Sequence, residues 1–319
     1  MKIKLISPTF GGTSGVGRHV ESLSEKLMER GHEVLIVSAK NTPYIPVKNL
    51  KNISWALFAC LNRERADVIH AHNLPSMIPA KTMRGKKVLS IHGHYSSQIE
   101  LLHGKALGRI MSLYEKKALS WADSITCISK DTTNIYHKMG FKVEYVPNAI
   151  DTARIEDLCK NVEHKKRRLI YVGRKTKEKG YDTLVKAFKL LSPNYELITV
   201  HSKPWIEAIK LIASSELLVL PSLMEGLPTV ILEAFTSGTA VIASNVGGVP
   251  ELIEDGVNGF LFKPGDHVKL ASLIEQVSKD ENLRESITNK AREKVKREYD
   301  WELVIDKYLQ IYEGCLNKN

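Results

Sequence analysis

What most limits the folds open to this chain is a rhythm of short apolar runs alternating with helical stretches, repeated in two successive series. In the first series KIKLISPT (Lys2–Thr9), GHEVLIVSA, ADVIHAH, KKVLSIHGH, DSITCIS and VEYVPN read as strands, rich in β-branched residues and apolar nearly throughout. A run apolar on both faces belongs inside a sheet covered on both sides. The helical stretches between runs supply the crossovers that parallel strands require. A glycine cluster follows the first run, then a helix expected from about Gly17 to Arg30 and ended by Gly31; a longer helix is expected from about Ser97 to Trp121.

The second series comprises RRLIYVG, YELITVH, ELLVLPS, TAVIAS and NGFLF, with helical patterns at YDTLVKAFKLL, WIEAIKLIASS and TVILEAFTSG. The expected fold class is therefore α/β, two Rossmann-like doubly wound domains in series over residues 1–150 and 151–300, followed by a helix over residues 301–319. The rhythm breaks at Pro147-Asn148-Ala149-Ile150-Asp151. The charged stretch Glu163-His164-Lys165-Lys166-Arg167-Arg168 ahead of the next strand reads as the linker. After Asp266 the pattern is helical and polar, ending in the amphipathic DWELVIDKYLQIYEGCL.

Composition narrows the function classes. The 319 residues suffice for two buried cores. No stretch approaches the roughly 20 apolar residues of a membrane span, and Met1-Lys2-Ile3-Lys4 enters a strand-like run without the apolar segment of a secretory signal, so a cytoplasmic location is expected. Cys60, Cys127, Cys159 and Cys315 are far apart and form no Cys-x-x-Cys pair, which favours reduced thiols over a zinc ribbon or a disulfide scaffold. The net charge of +10 lies entirely in the first half, where residues 1–150 hold 21 Lys+Arg against 11 Asp+Glu while residues 151–319 hold 25 of each. That half is suited to an anionic partner: a phosphate-bearing ligand, or an anionic membrane surface, which would add a peripheral position on the cytoplasmic membrane face. No nucleic-acid recognition motif or basic-aromatic interleaving is present, so nucleic acid is not an expected partner.

In doubly wound sheets ligands bind beyond the carboxyl ends of the strands, so motifs at those ends deserve the chemical reading. Gly11-Gly12-Thr13-Ser14-Gly15-Val16-Gly17 follows the first strand. Its glycines let a backbone approach an anion at a helix N-terminus, or simply form a flexible turn; it is neither a G-x-G-x-x-G fingerprint nor a P-loop. Gly173-Arg174-Lys175-Thr176-Lys177-Glu178-Lys179-Gly180 occupies the matching place in the second series. There Arg174 and Lys179 either converge on a diphosphate, neutralising it where no Asp-x-Asp offers a metal seat, or decorate a solvated basic turn. In Pro221 to Ala234, Glu225 and Glu233 bracket a helix start with Thr229 as its cap. Their oxygens suit sugar hydroxyls, the alternative being a capping role for Glu233 and a solvent-facing one for Glu225.

The steps His70/His72 and His92/His94 each put two imidazoles on one strand face. No acidic ligand accompanies them, so no metal site is expected. His92 reads as a cleft-facing hydrogen-bonding group, His70 and His72 as structural or only lining the cleft. In the helix near residues 97–121, Ile99, Leu102, Ala106, Ile110, Leu113 and Tyr114 follow helical spacing while Lys105, Arg109, Lys116 and Lys117 decorate other faces, which fits either packing on the domain or contact with anionic lipid.

Taken in order, these pieces resemble glycosyltransferase family 4, retaining enzymes of the GT-B fold. The resemblance rests on Ser14-Gly15-Val16-Gly17-Arg18-His19-Val20, similar to the family's Gly-Gly loop with serine replacing the first glycine, then Gly31-His32-Glu33-Val34, Asp67 to His72, Ile91-His92-Gly93 and Val146 to Asp151. In the second half it rests on Tyr171 to Arg174, Lys179-Gly180, the Glu225 to Glu233 pair and Gly247-Gly248-Val249-Pro250-Glu251. It implies an acceptor-side first domain, a nucleotide-sugar-binding second domain across a central cleft, and a final helix packing back on the first. It also implies transfer from a nucleotide-sugar, a co-substrate with no further cofactor and no metal, to a lipid-linked, polysaccharide or other glycoconjugate acceptor. By the same resemblance Arg174 and Lys179 grip the diphosphate with help from amides at Gly15, Val16, Thr229 and Val230, Glu225 contacts the transferred sugar, Glu233 the ribose, and His92 sits beside the sugar. The sequence departs from the family where Val200-His201-Ser202-Lys203-Pro204 leads almost directly to Trp205, omitting a segment that helps hold the base. A catalytically silent GT-B protein serving as a glycan-binding or partner subunit is the alternative expectation.

Overall fold

The computed structural model describes residues 1–47, 50–96, 99–100 and 104–317. Among these, each of the eleven apolar runs forms a strand, and the strands make two all-parallel sheets. The first sheet contains β1 (Lys2–Ile6), β2 (Glu33–Val37), β3 (Val68–His72), β4 (Lys86–Ile91), β5 (Ser124–Cys127) and β6 (Glu144–Tyr145), ordered β2-β1-β3-β4-β5-β6. Ile3 of β1 pairs with both Val34 and Val68, so the strand order reverses on the two sides of β1.

Side-chain alternation divides this sheet into two different faces. Ile6, Ile69, Ala71, Leu89, Ile91, Ile125 and Cys127 point into an apolar core with Trp55, Leu74, Met77, Ala118 and Leu119 from the helices Lys51–Ala59, Met77–Thr82 and Lys105–Leu119 and the short turn Leu74–Ser76. The alternate positions carry His70, His72 and Ser90, all buried. Helices Gly15–Glu29 and Lys130–Lys138, and Trp301–Leu316 from Glu302 onward, also belong to this unit. Residues from Glu302 onward belong with Met1–Pro147, and Lys26 and Arg30 reach Glu302 and Asp306 at 2.6–3.2 Å.

The helix expected from about Ser97 is interrupted at Gly104, which stands at φ 91° between the helical residues Ile99 and Glu100 and the helix Lys105–Leu119. Ser97 and Leu102 lie outside the described residues. The stripe expected to pack is not the one that does: Gly108, Glu115, Ala118 and Leu119 are buried, whereas Ile110 and Leu113 are exposed. A sequence with apolar residues on two sides of one helix leaves the choice of buried side to its neighbours.

The second unit, Asn148–Trp301, holds β7 (Lys165–Val172), β8 (Glu196–Val200), β9 (Ser215–Leu220), β10 (Ala240–Ser244) and β11 (Phe260–Phe262) in the order β11-β10-β9-β7-β8. Here the order reverses at β7, as it does at β1 in the first sheet. The charged stretch read as a linker is instead the start of β7. A register shift between Lys165 and Leu169, with Arg167 at φ 58°, lets the strand bend while its cations stay at the rim, and Arg168 pairs with Glu196 at 2.8 Å. The two ends of this unit are stitched together where Ile150 N donates to Tyr299 O at 3.0 Å and Trp301 N to Ile150 O at 3.1 Å.

Candidate active site

In the second unit, the groups with sugar- and phosphate-binding chemistry gather where β7 and β9 end. Beyond Val172 the chain turns sharply, held by Tyr171 Oη donating to the Arg174 carbonyl at 2.6 Å, and ends a single turn of tight helix at Gly180 with φ 64°. A Cβ on Gly180 would overlap the Pro221 carbonyl oxygen, so glycine allows the loop after β9 to pass against this turn. Leu223 N then donates to Glu178 O at 2.8 Å. Gly247, at φ 50°, does the same from the other side, since a Cβ there would overlap the Glu225 carbonyl oxygen. The Glu225 loop is thus clamped between two glycine turns.

The clamp brings Lys179 Nζ to 2.7 Å from Glu225 Oε1, an oxygen that also accepts from Ser222 Oγ at 2.6 Å. Glu225 is almost fully covered and Lys179 is partly open to solvent. The expected convergence of Arg174 with Lys179 takes a different form. Arg174, largely exposed, pairs with Glu178 at 3.1 Å, so each cation has its own carboxylate.

Four residues past Glu225 the helix Thr229–Ser237 begins. Its cap is Pro228 rather than Thr229, which is the first helical residue; proline offers the first turn no side-chain acceptor, leaving the positive end of the helix to an outside group. Val230 follows within that first turn. Glu233 sits inside the helix, not at its cap. It is buried and accepts from Trp205 Nε1 at 3.0 Å, with the Arg154 guanidinium 5.1 Å over the indole ring.

In the first unit the Gly11–Gly17 segment closes on itself through Gly11 N donating to Gly17 O at 2.8 Å, and Ser14 caps the helix by accepting from Gly17 N at 3.4 Å. Gly15 and Val16 are its first two residues, and Gly15 has open space around it. From this helix His19 reaches the histidine face of the sheet. Its Nε2 meets Tyr308 Oη at 3.2 Å and its ring lies 5.0 Å from that of His92. His72 Nδ1 is 3.1 Å from His92 Nε2, and His70 bridges Tyr312 Oη and Ser90 Oγ, each at 2.7 Å.

Burial holds all four imidazoles neutral. It lowers His92 to about 4 and His70 to about 3, and it lowers His19 and His72 well below the ordinary histidine value, the neighbouring imidazoles adding to the effect on His70, His19 and His72. Nitrogens of His19, His72 and His92 lie within 4.8 Å of one another, a spacing open to a metal, while His72 Nδ1 faces His92 and His19 Nε2 faces Tyr308. His94 stands apart, 3.9 Å from the buried Glu115, which accepts a hydrogen bond from Tyr136.

Two residues here were given no role from sequence. His19 falls on the buried stripe Val20, Leu23, Leu27 of its helix, so its inward direction follows from helical spacing. Asn73 stands at φ 64°, ψ 160°, a conformation nearly restricted to glycine, and its Oδ1 accepts from His92 N at 3.0 Å. Nothing in the sequence signals that strain.

Residues 13–154 match the family model described as Glycosyltransferase Family 4, and residues 196–294 the model described as Glycosyl transferases group 1. N-acetyl-alpha-D-glucosaminyl L-malate synthase of Bacillus anthracis is 25% identical, the alignment covering 99% of this chain and 98% of that protein; an uncharacterised glycosyltransferase of Methanocaldococcus jannaschii is 24% identical with 98% of each covered. Among solved structures, sucrose-phosphate synthase from Thermosynechococcus elongatus superposes with a TM-score of 0.84 at 19% identity over the whole of both chains. The Anabaena protein HepE, solved with UDP-glucose, superposes with 0.72 at 16% identity over 98% of this chain and all of that one. With two parallel Rossmann-like sheets of the GT-B kind and both halves matched, the chain belongs to glycosyltransferase family 4.

Proposed function

We propose that this protein is an active retaining transferase that moves a sugar from a nucleotide-sugar to a hydroxyl of a lipid-linked, polysaccharide or other glycoconjugate acceptor, without a metal. The observation that carries this reading is the Lys179–Glu225 pair, positioned ahead of the helix that starts at Thr229. In this reading Lys179 turns to the diphosphate when donor binds, aided by Arg174 and the amides of Thr229 and Val230, and Glu225 accepts hydrogen bonds from the sugar. Glu233 takes the ribose hydroxyls. On the first unit, His92 and the amides of Gly15 and Val16 are assigned to the transferred sugar and the phosphate. The neutral state of His92 suits hydrogen bonding to an uncharged sugar.

Because these groups include no carboxylate placed as a nucleophile, front-face transfer is the favoured course. The bond from the anomeric carbon to the diphosphate oxygen breaks, the acceptor oxygen bonds the same face, and its proton passes to the departing phosphate oxygen. The protein supplies orientation and positive charge. The sequence offers the cations and no Asp-x-Asp seat for a divalent ion. Known relatives named for sugar transfer and neighbours solved with UDP and UDP-glucose support the donor class.

A screen of nucleotide-sugars by mass spectrometry tests the reading: turnover of at least one donor is expected, strongly lowered by Lys179→Ala and Glu225→Ala. Turnover unchanged in both variants would overturn these roles. A second reading, a silent GT-B protein that binds a glycan or partner enzyme, is favoured by Trp205, whose indole already occupies the Glu233 carboxylate beside the shortened segment. Calorimetry with UDP-, GDP- and ADP-sugars separates the two, since the silent protein binds none.

A further inference from the structure

The first sheet's apolar core is roofed by helices whose outer sides are also apolar. In Lys51–Ala59, Trp55, Ala56 and Ala59 face the core, yet Leu50, Ile53, Leu57 and Leu61, spaced three and four residues apart, remain 47, 58, 62 and 68% exposed. Ile45, Val47 and Phe58 are exposed alongside them, which places seven large apolar side chains in the open within residues 45–61. Single exposed leucines are ordinary, but a stripe of this density is not. Its ends are fixed to the fold, Ser54 Oγ accepting from Ile45 N at 2.9 Å, and the buried Lys4 donating to Asn62 Oδ1 at 2.5 Å and Glu64 O at 2.6 Å. The stripe is therefore a held surface.

The neighbouring helix Lys105–Leu119 touches the same turn, Leu74–Ser76, with Tyr114 Oη donating to Leu74 O at 3.1 Å. It exposes Leu107, Ile110 and Leu113 among Lys105, Arg109, Lys116 and Lys117. Charge identifies what covers these sides. The sequence of residues 45–61 and 105–119 contains six Lys+Arg and one acid, Glu115, which is buried. A second copy of this face would bring cations against cations, and a nucleic acid would leave the leucines unmatched. A lipid bilayer with anionic headgroups satisfies both halves of the pattern, acyl chains for the leucines and phosphates for the rim.

We propose that the surface formed by residues 45–47 and 50–61 and the outer side of Lys105–Leu119 seats this protein on an anionic membrane. The proposal rests on the first unit's surface and stands apart from the sugar-transfer reading, so donor turnover in detergent-free buffer reports on one and vesicle binding on the other.

The test is flotation of the purified full chain with vesicles of phosphatidylcholine alone or with about one third phosphatidylglycerol. Recovery is expected to be roughly ten-fold higher with the anionic vesicles and to fall to the neutral-vesicle level in the double variant Ile53→Glu, Leu57→Glu. The pair Leu190→Glu, Ile206→Glu, exposed apolar positions of the second unit, should float like wild type, and circular dichroism should show both variants folded. Equal recovery from the two vesicle types, unchanged flotation of Ile53→Glu, Leu57→Glu, or equal loss in Leu190→Glu, Ile206→Glu would overturn the proposal. So would a dimer by light scattering that Ile53→Glu, Leu57→Glu dissolves while no vesicle binding is seen.

Discussion

Lys179 donates a 2.7 Å hydrogen bond to Glu225, which is otherwise held by Ser222. This internal pair keeps a nearly buried carboxylate satisfied while no substrate is bound, and makes its two members interdependent. Lys179→Ala is expected to lower kcat/KM for the accepted donor by about a hundredfold or more, with Glu225→Gln falling similarly. The double variant should lose far less than the product of the two, as measured by steady-state turnover in a double-mutant cycle.

Gly180 and Gly247 are expected to tolerate no side chain. In Gly180→Ala the new Cβ meets the Pro221 carbonyl oxygen at a left-handed φ, and in Gly247→Ala the Glu225 carbonyl oxygen. Each should destabilise the second unit by about 2–4 kcal/mol, read as a lower urea midpoint with unchanged slope.

At Asn73, alanine loses both the tolerance for φ 64° and the acceptor for the His92 amide. Asn73→Ala should cost about 2–4 kcal/mol in thermal or urea unfolding, and Asn73→Gly, which relieves the strain, appreciably less.

Acid should weaken the first unit through its histidines. His92 and His70 are lowered to about 4 and about 3 in the folded chain against 6.5 unfolded. The unfolded chain therefore binds protons first as pH falls. Stability from these groups is complete above pH 6.5 and declines between 6.5 and about 3, at up to roughly 1.4 kcal/mol per pH unit for each histidine. Tm measured against pH should show this decline, and His70→Phe should flatten it.

Trp205→Phe keeps most of the ring volume but removes the donor to Glu233. We expect a loss of about 1 kcal/mol in stability. If the protein is a working transferase, calorimetry should show a severalfold gain in nucleotide affinity as the carboxylate is released.

The strands were legible because burial on both faces leaves an unmistakable apolar run, and the inward direction of His70 and His72 followed from alternation along one strand. Other features depended on partners far away in the chain. Nothing local distinguishes Trp205 as the donor to Glu233, or Glu115, set between Tyr114 and Lys116, as a buried residue. Lys165 to Arg168 looked like a linker because a bulge keeps most of a strand's opening residues at the rim, and Ile110 and Leu113 looked like core because the helix is apolar on two sides. Of the residues with assigned roles, Lys179 and Glu225 are brought together, and Arg174 is matched with Glu178 instead.

The return of residues 302–316 to the first unit sets an order of events during synthesis. Roughly 150 residues separate Pro147 from this helix, so the ribosome completes the second unit's sequence before Tyr308 and Tyr312 emerge to meet His19 and His70. Until then the sheet face that carries Leu5, Val68 and His70 lacks one of its two covering helices, and chaperone recognition of a stalled chain should centre there.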